Sequence, residues 1–182
     1  PKPRRNIFCV GKNYHAHAKE FAGSGFDSSA KSGGDIPSAP IIFSKVPECV
    51  VGPTDNILWN PEVSTAIDYE AELTIVIGQG GKGIKKADAM KHVWGYTIIN
   101  DVTARDWQGR HSQWLLGKSF DTFCPMGPWA VTADEVDGQN TQVRCWVNGE
   151  ERQNASTRDL IFNIPKLIET ISAGITLYPG DV

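Results

Sequence analysis

The chain has 182 residues, 40% of them hydrophobic and 21% charged, and a formal net charge of -3. That size and mix suit one globular domain with a real core. The charge gives no reason to bind nucleic acid, no Lys/Arg cluster marks a membrane surface, and no apolar run nears a bilayer span.

Ile7 to Val10 reads as a short strand ending at Gly11, and Tyr14 to Phe21 as a short helix. A Gly/Ser-rich stretch, Ala22 to Ser38, has almost nothing to bury, so residues 13–40 form a candidate mobile lid and loop. Pro40 to Phe43 resumes as a strand. Asp68 to Ile77 is the clearest strand, with Leu73, Ile75 and Ile77 on one face. A short helix near Ala87 to His92 and the strand Trp94 to Asn100 follow, and Thr103 to Trp114 begins as a helix. Gln142 to Val147 and Glu150 to Gln153 flank Asn148-Gly149, a strong hairpin signal. The last element is a helix near Pro165 to Ala173, with Asn163 as N-cap and Gly174 after its end. Strands outnumber helices, so the fold class is mixed α/β and β-rich. The chain reads as one domain, 1–182, expected to be incomplete at its C-terminus because Tyr178-Pro179-Gly180-Asp181-Val182 resembles a turn before another strand.

Four cysteines, Cys9, Cys49, Cys124 and Cys145, form no C-x-x-C pair, which argues against a zinc ribbon or a disulfide scaffold and for a reducing, cytoplasmic setting. The acidic residues carry more chemistry. Glu70 and Glu72 are two apart on the expected strand, leaving from one face with Cα atoms roughly 6.5–7 Å apart. Two carboxylates so placed either face solvent or share a hard cation, Mg²⁺ or Mn²⁺, that cancels their repulsion. Asp101 follows an apolar strand, and Asp101, Arg105 and Gln108 share one stripe if a helix begins there. That stripe is either an N-cap with a surface arginine or a metal ligand beside two carboxylate binders. His17 and Glu20 are i, i+3 neighbours, so the carboxylate can orient the imidazole as a base, or both are incidental surface residues. Lys118 sits between a glycine and an apolar run, where its ammonium can point inward.

Gly78-Gln79-Gly80-Gly81-Lys82-Gly83 satisfies G-x-G-x-x-G after a strand, which keeps a nucleotide-binding domain as a distant alternative. The short broken helix after it and the glutamates before it argue against that reading.

Several blocks in order resemble the fumarylacetoacetate hydrolase family. They are Cys9-Val10-Gly11-Lys12-Asn13-Tyr14 with His17 and Glu20, Pro40-Ile41-Ile42-Phe43-Ser44-Lys45, and Asp68-Tyr69-Glu70-Ala71-Glu72-Leu73. Asn100-Asp101-Val102-Thr103-Ala104-Arg105-Asp106, Gly117-Lys118-Ser119-Phe120-Asp121 and Val147-Asn148-Gly149-Glu150 continue the match. Lys12 replaces the commoner arginine, and the stretch after Glu20 is longer than in compact members. The resemblance implies a β-roll with short helices, a homodimer, and Mg²⁺ or Mn²⁺ on Glu70, Glu72 and Asp101. It further implies a His17–Glu20 dyad on a lid, Lys118 assisting at the metal, and Arg105 and Gln108 on a small keto acid substrate. The expected reaction is hydrolysis of a carbon–carbon bond in an acylpyruvate or related diketo acid. Decarboxylation or isomerisation of a small unsaturated 2-keto dicarboxylic acid at the same site is the alternative.

Overall fold

The computed structural model describes residues 2–15 and 36–182. The expected helix Tyr14–Phe21 and most of the 13–40 segment, with His17 and Glu20, lie outside the described residues. Among the described residues the fold is strand-rich with short helices, as the patterning predicts. The strands are β1 (Ile7–Gly11), β2 (Ile41–Lys45), β3 (Val50–Val51), β4 (Ile67–Asp68), β5 (Ala71–Ile77) and β6 (Val93–Asn100). β7 (Thr103–Ala104), β8 (Cys124–Pro125), β9 (Val131–Thr132), β10 (Gln142–Val147) and β11 (Glu150–Ser156) complete the set. Among the described residues no helix is long and apolar enough to cross a membrane.

β5, β6 and β9 form a sheet in that order, every pair antiparallel. β1 pairs with β2, β4 with β7 and β10 with β11, also antiparallel, whereas β3 and β8 run parallel. The helix Ile164–Gly174 begins where Asn163 accepts the Lys166 N–H at 3.1 Å, with Pro165 in the first turn where its missing N–H costs nothing. Its Ile164 and Ile168 pack with Ile77, Val93, Tyr96 and Leu177 in the main core. A second cluster joins Ile7, Val50 and Ile99, and a third, Val102, Ala104 and Phe123, lies beneath the acidic residues. Phe8 N–H donates to Val182 O at 3.0 Å and Ile77 N–H to Asp181 O at 2.8 Å, so residues 181–182 run between the facing edges of β1 and β5.

Three local readings change. The expected strand 68–77 is broken at Tyr69 and Glu70, because Asn100 Oδ1 takes the Glu70 N–H at 3.1 Å and Glu70 O accepts the Asp101 N–H at 2.7 Å. Glu70 therefore precedes β5 instead of sharing a strand with Glu72. The helix expected from Thr103 starts at Arg105 and ends at Arg110, since Thr103 and Ala104 pair with β4 and the Arg105 N–H bonds Ala66 O at 2.8 Å. Asp101 is thus neither on that helix nor its cap. The glycine run after β5 opens no helix: Gly81 bridges Leu177 and the next strand is antiparallel, so the phosphate-cradling βαβ context of a nucleotide site is missing.

Candidate active site

Asp101 occupies the turn between β6 and β7, over the Val102–Phe123 cluster. Its backbone is held by the bond to Glu70 O and by Thr103 Oγ1, which donates to Asp101 O at 2.9 Å. Lys118 ends the short helix Leu115–Lys118, which packs on the 105–110 helix through Gly117. A Cβ at Gly117 would stand 2.6 Å from Gln108 N and 2.9 Å from Ala104 O, so only glycine allows this approach. Gly117→Ala is expected to cost roughly 1–3 kcal/mol by overpacking and to push Lys118 off its partners. Urea unfolding together with kcat would check this; a variant as stable and active as the parent would contradict it.

The Lys118 ammonium, 2% exposed, bridges two of the expected metal ligands, Glu70 Oε2 at 2.5 Å and Asp101 Oδ2 at 2.8 Å. Burial works against that charge, but Asp101 and Glu70 outweigh it and hold the lysine above its ordinary value. The ammonium also lies 5.1 Å from the centre of the Phe43 ring. Burial alone would raise the Asp101 pKa, yet Lys118 and Lys45 hold it down at about 2. Arg105 donates from Nη2 to Glu70 Oε1 at 2.5 Å and Asp68 Oδ2 at 2.7 Å, and from Nη1 to Gln108 Oε1 at 2.9 Å. The structure thus brings Glu70, Asp101, Lys118, Arg105 and Gln108 into one network.

Lys45 was not singled out by its sequence. It closes β2 with no exposure at all, and its ammonium donates to Val102 O at 3.1 Å and to Lys118 O. It also lies 2.8 Å from Asp101 Oδ1. The signal was parity: Ile41, Phe43 and Lys45 share one face of β2, so a core-facing strand ends in a lysine that must find partners inside. Asp68, which anchors Arg105, was also missed, because nothing in a strand's first residue announces an ion pair.

A cavity of about 420 Å³ opens on this network and is lined by Glu70, Glu72, Asp101, Arg105, Gln108 and Lys118. Apolar residues of β5 and of the 164–174 helix line another part of it. Glu72 stands at its wall, part of its surface open to the space, and accepts no hydrogen bond from the described residues. Burial among protein atoms, together with Glu70 and Asp101, raises its pKa to about 8, against a smaller opposing pull from Lys118.

Among the described residues no three His, Cys, Asp or Glu side chains converge closely enough to hold a metal, because Lys118 and Arg105 take the Glu70 oxygens and Lys118 one Asp101 oxygen. The donor set still fits a hard cation. Asp101 Oδ1 is buried without a hydrogen bond of acceptable geometry, even beside Lys45, and Glu72, which has no ion-pair partner among the described residues, sits in a cluster of like charges.

The family model described as fumarylacetoacetate (FAA) hydrolase C-terminal matches residues 6–182. The oxaloacetate tautomerase YisK of Bacillus subtilis (strain 168) is 49% identical over 183 residues, covering 100% of this chain and 58% of that protein. The chain spans little more than half the length of the curated relatives it matches. A fumarylacetoacetate hydrolase from Exiguobacterium antarcticum superposes with a TM-score of 0.84 at 42% identity, covering 98% of this chain and 61% of that one. A 5-carboxymethyl-2-hydroxymuconate delta-isomerase from Mycobacterium smegmatis gives 0.83 at 40% identity, covering 100% and 66%. With its acidic and cationic residues gathered at one cavity and a family match across nearly its whole length, the chain belongs to the fumarylacetoacetate hydrolase family.

Proposed function

We propose that this chain carries the active site of an enzyme that interconverts the keto and enol forms of a small 2-oxo dicarboxylic acid, with oxaloacetate as substrate. The observation that carries the reading is the Lys118 ammonium, fixed between Glu70 and Asp101 at the cavity. Enolisation places negative charge on the former carbonyl oxygen, and a preorganised buried cation lowers the cost of that charge. The similarity to an oxaloacetate tautomerase supports the choice of substrate.

Glu70, Glu72 and Asp101 would hold Mg²⁺ or Mn²⁺, which when bound supplies Lewis-acid polarisation of the carbonyl. Lys118 holds a proton next to the developing enolate oxygen. Arg105 fixes Glu70 through its fork and, with Gln108, presents a polar wall to a substrate carboxylate. The Phe43 and Trp114 rings, 5.2 Å apart, border the cavity and limit water near the ammonium.

The test follows enol absorbance of oxaloacetate with the full-length protein carrying this chain, with Mg²⁺ and with excess chelator, while pyruvate release is assayed in parallel. The expected result is metal-dependent approach to keto–enol equilibrium without pyruvate. Pyruvate release would replace tautomerisation by decarboxylation. A second reading, hydrolysis of an acylpyruvate, draws on the similarity to the Exiguobacterium hydrolase. It needs a base to activate water, for which His17 and Glu20 are proposed, and cleavage of an acylpyruvate lost in His17→Ala would favour it.

A further inference from the structure

The β10–β11 hairpin brings one residue to the acidic segment that neither the motifs nor the mechanism above uses. Its turn, Asn148-Gly149, has positive φ at both residues, 52° and 83°, as a two-residue hairpin turn of the mirror type requires. Beyond the turn the register slips: Trp146 faces Glu151 and Cys145 faces Gln153, leaving Arg152 as an extra residue on β11. A bulge of this kind bends the strand and re-aims the side chain that follows it.

That side chain is Gln153. Its Oε1 accepts the Ala71 N–H at 2.8 Å, on the edge of β5 between Glu70 and Glu72. The assignment of oxygen and nitrogen is forced, because a backbone N–H can meet only the amide oxygen. The Nε2 hydrogens are left over, and among the described residues they have no partner. The neighbouring β11 residues at the cavity wall differ in this respect. Arg152 is paired with Glu150 at 2.6 Å, and Asn154 donates to Glu151 at 2.8 Å. Of these three, Gln153 alone has no side-chain N–H spent on another residue among the described residues.

We infer that Gln153 is a substrate-binding residue whose Nε2 donates to a carboxylate oxygen of the substrate while its Oε1 stays locked to the Ala71 N–H. The substrate class rests on the proposed keto acid reading, but the donor role does not require tautomerisation. The amide is pre-oriented by the strand edge, so little freedom is lost when it receives an acceptor.

The experiment measures KM and kcat for oxaloacetate and, separately, the affinity for oxalate by calorimetry, all with Mg²⁺ present. Gln153→Glu keeps an acceptor for Ala71 but replaces the donor by an anion; Gln153→Met removes the amide at similar size. Both are expected to weaken oxalate binding about tenfold or more, the scale of one charge-assisted hydrogen bond. KM is expected to rise with it, with kcat within about threefold and the melting temperature within a few degrees of the parent. Weaker oxalate binding in both variants of a protein that leaves oxaloacetate unchanged would support the donor role while overturning the tautomerase reading. Overturning the inference would take a parent that binds no oxalate, variants that bind it normally, or a fall in kcat with binding unmoved, which would make Gln153 only a prop for β5.

Discussion

Lys118→Met is expected to lower kcat by about 10²–10³-fold, the usual cost of removing one preorganised group that faces developing negative charge. The same change leaves Glu70 and Asp101 facing each other without the ammonium that now lies 2.5 and 2.8 Å from them. Breaking a buried pair in this way typically costs about 3–5 kcal/mol. Because the lost element is a shared positive charge, Mg²⁺ is expected to restore part of the melting temperature without restoring turnover. Calorimetry with and without Mg²⁺, alongside kcat, separates the two effects. A variant that turns over at the parental rate would remove Lys118 from the mechanism.

Asp101→Asn is also expected to cost about 3–5 kcal/mol, since the buried Lys45 ammonium would lose its carboxylate and Lys118 would keep only Glu70 among the described residues. Its pH signature is distinctive. The folded-state pKa of Asp101, about 2, lies below the ordinary 3.8, so the unfolded chain binds the proton more readily. Stability from this group is therefore fully present above about pH 4 and is lost as pH falls through 2, a contribution of about 2 kcal/mol. In Asp101→Asn that part of the acid limb should vanish. Urea unfolding at several pH values between 2 and 6 would show it, and an unchanged slope would mean that Asp101 is not held by its lysines.

Much of the fold was legible because its signals are local. Asn148-Gly149 dictates a tight hairpin, Asn163 with Pro165 dictates a helix start, and alternation in 71–77 dictates a strand. What failed was continuity. The strand through Glu70 and the helix from Thr103 look unbroken as patterns, yet Asn100 and Ala66 compete for the same backbone hydrogens. Such competition comes from residues about thirty to forty positions away and leaves no periodic trace. Glu70, Asp101, Lys118, Arg105 and Gln108 were identifiable through motif resemblance, and the structure brings them together. Lys45 and Asp68 stand inside two of the resembling blocks without an assigned role, because their roles arise only when distant carbonyls and a guanidinium are carried to them by the chain.

The extra residue at Arg152 makes the hairpin a counting device. Side chains alternate along β11, so the number of residues between the turn and Gln153 decides whether the amide meets Ala71 or turns to the opposite face. Gain or loss of one residue there would reverse the facing of every position up to the end of the strand, whereas a change of two would preserve it. The hairpin's length is therefore constrained to one parity, as its Asn148-Gly149 tip is held to residues that accept positive φ, and insertions that survive in this segment should come in pairs.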